Sequence, residues 1–573
     1  MGVFVGAALG CEANLLADEV PYRQFADDFL ADHYAWRPLS GTSLGMHEYD
    51  AKAPNFSAAS IEHEHARLLS ARGFLRSMKT KDLPPEALRE SRALLAAVEG
   101  ELLGFEVMRE HQRNPMTYAQ AYDLTSYAKR NFAPKPKRLQ SVVQILQQVP
   151  AGLNAGRANL EAKLPKVWIT TAIEQATGMA DFFSGELAEA FAEVQDPPLQ
   201  SEFTRARTAA ADAMKDYAQW LKTEKLPQAT DDFAIGEKAY AHMLASEELI
   251  AMSPDQVLAV AERELKREQD RFAQAAHQID PTKPAIDVYK AMQADHPTEQ
   301  SLIPDTVKHL EMIRQFLVQR KLVTFPSDVR VKVEETPKFE RATSFASMDS
   351  PGPFEQVATE AFYYVTPTEP HWDAKKKEEW LTAFNFYATD VTSIHEAYPG
   401  HYVQALHLKA SPASRIDKAF GSYAFTEGWA HYCEQMVIDE GFPAGADAAT
   451  AAKYRLEQSD EALLRLCRLV ASIRMHTKGM SVDDATKFFM ANCYYEEAPA
   501  RSEAERGTYD PGYGFYTLGK LQILKLRDDW KKQEGANFSL QRFHDELLKH
   551  GQPPIRLLRE VMLRDSKTWD DVM

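Results

Sequence analysis

Cysteine is scarce: the 573 residues include four, at Cys11, Cys433, Cys467 and Cys493. They are too few and too scattered for a disulfide framework or a thiolate zinc site, and the last three are expected as buried free thiols. No run of roughly 18 apolar residues occurs, which removes the expectation of a membrane-spanning helix. Glycine is thin as well, 26 in all, while Ala, Leu, Glu, Lys and Gln abound, and that balance favours helix. Basic charge is in deficit, 66 Lys and Arg against 83 Asp and Glu, for a net charge of −17. A nucleic-acid partner, which requires a basic face, is therefore not expected.

What is present reads as helix for most of the length. Ile61–Met78, Pro85–Gln112, Ser201–Thr223 and Pro254–Gln278 place apolar residues at three- and four-residue spacing. Prolines at 84–85, 134, 136, 150, 165, 197–198, 227 and 254 lie between such patterns, where they are expected to end helices. Near residue 326 the texture changes. Val329 to Val333 alternates apolar and basic residues as a half-buried strand does, and Thr343–Met348 and Gln356–Val365 also read as extended, with a turn at Pro351-Gly352-Pro353 between them. The expected architecture is mainly α: two helical lobes around a deep cleft lined by a small β-sheet. Residues 21–325 form one lobe, and 326–573 the sheet and the catalytic lobe. Residues 1–20 read either as a signal or lipoprotein remnant or as an ordinary N-terminus. Ala8-Leu9-Gly10-Cys11 has the form of a lipid-anchor site, but no basic residue precedes it. Exported and cytoplasmic locations are left equally open.

The densest chemistry lies at Ile394-His395-Glu396-Ala397-Tyr398-Pro399-Gly400-His401. Two imidazoles with a carboxylate beside one of them suit zinc hydrolysis: His395 and His401 hold one zinc ion, and Glu396 takes a proton from a water that the metal has acidified to a pKa near roughly 7. The spacing departs from the usual i, i+4 pair. At about 100° per residue, six residues leave the two rings about 240° apart on an ideal helix, so the helix must bulge or break at Pro399-Gly400 for them to converge. His407 is the alternative second ligand. A third ligand is expected from Thr426-Glu427-Gly428-Trp429-Ala430-His431, with Glu427 favoured over Glu434 and His431 read as an outer partner or core residue. A third cluster runs from Glu505 to Gly519. Within it Tyr516 is the candidate donor to an oxyanion, Tyr513 could reach the same cleft, and Arg506 could pair with a peptide carboxylate.

These residues resemble a bacterial family of unknown function, DUF885, whose pattern His-Glu-Ala-x-Pro-Gly-His-x-x-Gln corresponds to His395–Gln404. Its Glu-Gly-Trp-Ala corresponds to Glu427–Ala430, and its Arg-Tyr/Pro-Gly/Tyr-x-x-Gly run to Arg506, Pro511-Gly512 and Tyr516–Gly519. The chain departs from that pattern in two places: Gly507-Thr508 separates Arg506 from Tyr509, and Tyr513-Gly514-Phe515 replaces a more aliphatic stretch. More distantly, the order of motifs is similar to the helical gluzincins, which include angiotensin-converting enzyme, thimet oligopeptidase and thermostable carboxypeptidases. That likeness implies that Tyr513 and Tyr516 border the substrate and that Ala346-Ser347-Met348-Asp349 is an edge strand along which a peptide lies. The expected activity is that of a zinc metallopeptidase. A zinc amidase or esterase and a non-catalytic helical binding protein are the alternatives.

Overall fold

The computed structural model describes residues 19–573 except 80, 82, 338–340 and 342–343. Cys11 and Ala8–Gly10 thus lie outside the described residues, as does Thr343 at the start of one expected strand. The fold is mainly α, with one small sheet among the described residues. The expected helices are present as Ala58–Ser77, Pro85–Leu103, Pro197–Trp220 and Pro254–Ile279. The prolines work differently from expectation. Pro85, Pro197 and Pro254 occupy first helical positions, and Pro134 and Pro165 are N-caps. A first-turn residue has no intrahelical acceptor for its N–H, so proline costs nothing there and its fixed φ suits the helix. These prolines begin helices rather than end them. At Pro254 the start is reinforced by a capping box between Ser253 and Gln256.

The sheet consists of β1 (Lys332–Glu335), β2 (Ala346–Asp349) and β3 (Phe362–Val365), in the order β1-β3-β2. β1 runs parallel to β3, and β2 runs antiparallel to it with Ala346 opposite Val365. The first strand begins three residues later than the alternation suggests. Pro351-Gly352-Pro353 does not close a tight hairpin; Gly352 is pressed against the backbone of Leu44, and Phe354 N–H donates to the Leu44 carbonyl at 3.0 Å. β2 is an edge strand, fastened at its end by an ion pair between Arg130 and Asp349.

The main apolar core is continuous from Phe56 to Leu563, and a smaller cluster gathers Tyr22, Leu30, Leu68 and Leu94. Two helix pairs dominate it. The 30-residue helix Ala448–Thr477 packs along Pro254–Ile279, and Tyr423–Asp439 packs along Phe515–Glu534. The second pair meets at two glycines. A Cβ on Gly428 would lie 2.4 Å from the Gly519 Cα, and one on Gly519 would lie 1.7 Å from the Ala424 carbonyl oxygen. Only hydrogen fits between these backbones, and the close approach brings the start of one helix beside the other. The three cysteines among the described residues, Cys433, Cys467 and Cys493, are free and buried, as expected. No helix among the described residues is long and apolar enough to cross a membrane.

Candidate metal centre and its surroundings

Helix Phe386–Glu396 starts at Asn385, whose side chain accepts from the N–H groups of Tyr387 and Ala388, and it stops immediately after the His-Glu pair. Tyr398-Pro399 is a cis peptide, and a second helix, His401–Ala410, begins with His401 as its first residue. Between the two, Tyr398 N–H returns to the Ser393 carbonyl (3.1 Å) and Gly400 N–H to that of Ile394 (3.0 Å). The break required by the six-residue spacing is present, and it is a full interruption rather than a bulge. The two imidazoles converge, with ring centroids 4.9 Å apart and planes at 87°.

The carboxylate of Glu427 closes the group. Its Oε2 lies 3.5 Å from Nε2 of both His395 and His401, and it is buried without a hydrogen-bond partner. These are the only three His, Cys, Asp or Glu residues among the described ones whose potential ligand atoms converge in this way, all within 4.8 Å of one another. Two imidazole nitrogens and one carboxylate oxygen, with an orphaned buried oxygen turned to the centre, form a donor set that fits zinc and leaves a coordination position open. His407 does not join them; its Nε2 is 2.8 Å from the Thr324 carbonyl, which makes it a structural donor.

Behind the ligands stands Glu434. It is fully buried, accepting from Nδ1 of His395 at 2.6 Å and contacting Nδ1 of His431 at 2.8 Å, with Arg465 at 3.7 Å. A carboxylate on the far nitrogen fixes the tautomer and orientation that leave Nε2 free for a metal. The electrostatics match. Burial pushes the His395 imidazole down, but the carboxylates of Glu427 and Glu434 on its two sides outweigh that and raise it to about 9. His401 is also raised, with burial overcome by Glu427. Burial works against both carboxylates as well, yet Glu427 is held well below the usual range by His401 and His395, and Glu434 by His431 and Arg465. His431 is driven down to about 3 by burial and by Lys520, so it is neutral at pH 7.

Glu396 points from the same helix end toward the sheet: its Oε2 accepts the backbone N–H of Met348 in β2 at 3.1 Å. Phe345 directs its carbonyl toward β3, where Thr366 N–H meets it at 3.0 Å, so the backbone groups of Ala346 and Met348 point the other way, along the free edge. Ala346 thus stands on the edge that faces the His-Glu helix. Tyr516 enters from helix Phe515–Glu534, its ring nearly parallel to that of His395 with centroids 6.2 Å apart. Burial and then Glu427 raise its hydroxyl pKa, so the phenol keeps its proton at neutral pH.

Two other expected site residues fare differently. Tyr513 is fully buried with an unpartnered hydroxyl, packed where a Gly507 Cβ would touch it at 2.6 Å. It belongs to the core and does not line an open surface. Arg506 is engaged with Asp510 at 3.0 Å and with the Tyr423 hydroxyl at 3.2 Å, and 31% of its side chain stays exposed. Three neighbours were not singled out from sequence. Tyr423 stands edge-on to Tyr516, with centroids 5.8 Å apart, while Arg465 and Arg468 place guanidinium carbons 5.9 and 5.5 Å from the Tyr516 ring centroid. Tyr423 precedes Glu427 by four residues, and that i, i+4 relation would have marked it. The arginines come from a distant helix, and no local pattern marks them.

Comparison with known proteins agrees on the fold. Residues 38–562 match the family described as bacterial protein of unknown function (DUF885), and the chain belongs to that family. No curated protein matches. Among solved structures, one described as a "putative lipoprotein of unknown function" from Shewanella oneidensis is 24% identical with a TM-score of 0.77, covering 95% of this chain and 100% of that one. Another, described as the "putative lipoprotein" from Colwellia psychrerythraea, is 18% identical with a TM-score of 0.76, covering 97% of this chain and 100% of that one.

Proposed function

We propose that this member of the DUF885 family is a zinc-dependent peptidase of the gluzincin type, with His395, His401 and Glu427 holding one zinc ion. The observation that carries the reading is the convergence of two imidazole Nε2 atoms on a buried carboxylate oxygen that has no hydrogen-bond partner. An unpaired buried carboxylate oxygen is costly unless a cation completes it. When bound, zinc supplies Lewis acidity, polarising a carbonyl and lowering the pKa of a water.

The remaining work falls to side chains of this chain. Glu396, adjacent to His395, takes the proton of the attacking water and returns it to the leaving amine. The Met348 N–H fixes one of its oxygens and so aims the other. The outward backbone groups of Ala346 on the β2 edge can pair with a substrate in extended form, which favours a peptide over a compact ester. Tyr516, protonated and beside His395, donates to the oxyanion as the carbonyl becomes tetrahedral. Glu434 holds His395 in place throughout.

The test is metal analysis of the purified protein together with mass spectrometry of a digested peptide pool. Glu396→Gln should retain the metal and lose kcat by several orders of magnitude. Tyr516→Phe should lower kcat by about 10²–10³ with KM little changed. Wild-type turnover by Glu396→Gln, or a pool left intact by the metal-loaded wild type while simple esters are cleaved, refutes the reading.

The same reading extends to location. Both solved neighbours carry the description of a lipoprotein, and Cys11 follows a short apolar stretch, so Cys11 is proposed as a lipid anchor. Fatty-acid labelling in a bacterial host should mark the wild type and not Cys11→Ser; an unlabelled wild type refutes the anchor.

A further inference from the structure

A cavity of about 600 Å³ lies at the start of the helix that carries Glu427. The cavity and the metal centre share that element: Gly421, Ser422 and Tyr423 line the cavity, and Glu427 follows Tyr423 by one turn of the same helix. Ala93, Ala96, Phe56 and Phe105 give its wall apolar area, and four glutamates, Glu101, Glu110, Glu247 and Glu248, also face it.

The only arginine or lysine in the wall is Arg37, and its guanidinium is already committed to Glu64 and Glu101. Glu248 is satisfied by the Ser422 hydroxyl and the Ala424 N–H. Glu110 and Glu247 have no such counterpart. The Glu110 side chain stands exposed to the cavity, and Oε1 of Glu247 is buried with no hydrogen-bond partner. His111, 6% exposed and part of the same wall, leaves its Nδ1 unpartnered. Burial, and then Arg37, push its imidazole down to about 4, so the ring is neutral at pH 7 and able to accept a hydrogen bond. Burial pushes Glu247 up to about 8, with Glu248, Glu110 and Glu101 adding to the rise, so its carboxyl is mostly protonated at pH 7 while the chamber is empty and gives up that proton when a cation takes its place. The wall therefore offers acceptors at Glu110, Glu247 and His111 and no uncommitted cationic side chain.

A bare metal ion does not suit this arrangement. The only group of His, Cys, Asp and Glu ligand atoms among the described residues that closes to within 4.8 Å is His395, His401 and Glu427. Acceptors spread over a chamber fit an organic cation, whose several N–H donors reach different oxygens. The volume is in the range of small-molecule sites, roughly 300–1,000 Å³, and has room for a side chain or a terminal residue.

We propose that this chamber is a specificity subsite that receives a cationic group of the substrate, the basic side chain or free α-amine of a peptide, held by Glu110, Glu247 and His111. It rests on the peptidase reading for the identity of the substrate, although binding of a cation can be measured without turnover. The enzyme would then select peptides by positive charge.

Matched peptides test this on zinc-loaded protein: one series exchanges lysine for norleucine at each position, and a second exchanges a free for an acetylated N-terminus. Wild type should prefer the cationic member of one series by about 10- to 100-fold in kcat/KM, and the series that responds identifies the source of the charge. Glu110→Gln and Glu247→Gln should each shrink that ratio about tenfold while circular dichroism is unchanged. A parallel arm titrates arginine amide into zinc-loaded Glu396→Gln by calorimetry, with and without Glu110→Gln. Binding lost with Glu110→Gln supports the chamber even if no peptide is cleaved, which would refute only the peptidase reading. Hydrolysis with no charge preference, a ratio untouched by both variants, or arginine amide binding indifferent to Glu110 overturns the chamber and leaves the peptidase reading standing.

Discussion

Replacing Gly400 with alanine adds one methyl group at the break between the helices that carry the proposed ligands His395 and His401, where the chain has no room for it. A Cβ built there would lie 1.7 Å from the carbonyl oxygen of His395, 2.5 Å from its carbonyl carbon and 2.6 Å from the Ile394 oxygen. Real Cβ atoms essentially never come within 3.0 Å of such neighbours, so the gap must widen by the difference between 3.0 and 1.7 Å, about 1.3 Å. All the obstructing atoms are backbone, so no side-chain rotation relieves the clash. The hydrogen bond from Gly400 N–H to the Ile394 carbonyl, 3.0 Å long, is strained in the same movement. The atom that must retreat belongs to His395, and the residue after Gly400 is His401, so the displacement falls on the ligand pair itself. Zinc–nitrogen distances are confined to about 2.0–2.1 Å, with tolerance near 0.2 Å; a shift of this size takes one imidazole out of bonding range. Metal affinity should fall by more than the roughly 10–100-fold that loss of an outer-shell partner costs. Stability of the metal-free protein should fall by about 1–3 kcal/mol, the usual penalty of overpacking. The assay is competition with a chromophoric chelator, alongside denaturant unfolding of the metal-free protein. A zinc affinity within threefold of wild type would show that the break tolerates a side chain and that the geometric argument for the ligand pair is wrong.

Glu434→Gln removes the charge behind His395 while keeping the side chain's shape, and should weaken zinc binding by about 10–100-fold without unfolding the protein; an unchanged affinity in the chelator assay would reduce Glu434 to a packing residue. Metal binding should also be coupled to pH. The metal-free His395 titrates at about 9, above the roughly 6.5 expected when unfolded, so its contribution to metal-free stability is complete below pH 6.5 and is lost as pH rises through 9. A metal requires the neutral ring. Zinc uptake between those values therefore displaces a proton, and the gap in melting temperature between zinc-loaded and metal-free protein should widen from pH 6.5 to 9. A gap that stays constant or narrows contradicts the assignment.

Much of the fold was legible because its signals are local. Helix periodicity from Ala58 to Ile279 needs only neighbours three and four residues away. Proline was misread because its effect depends on which end of a helix it meets: Pro254 follows the capping Ser253 and so begins a helix. At the site, His395, Glu396, His401 and Glu427 were legible as residue types at telling spacings, and the spacing alone required the chain to break before His401. The role of Tyr513 was not legible. A tyrosine three residues before Tyr516 reads as its partner, yet with Gly507 against its hydroxyl it faces the core.

The sequence by itself determined the helical class, the donor atoms and the need for a broken helix, since composition, side-chain chemistry and helical rotation are properties of short segments. Sequence spacing favoured Glu427 over Glu434 as the third ligand, but only the tertiary structure shows what each carboxylate faces: Glu427 turns to the two Nε2 atoms, and Glu434 stands behind His395. Glu427 and Glu434 lie on the same helix seven residues apart, and two nearly whole turns leave them on nearly the same face. The docking of that helix against Phe386–Glu396 assigns Glu427 to the Nε2 side of His395 and Glu434 to its Nδ1 side. The acidic chamber is tertiary in the same sense. Glu110 and Glu247 are 137 residues apart in the chain, and they share a wall only because packing brings their two segments to one cavity.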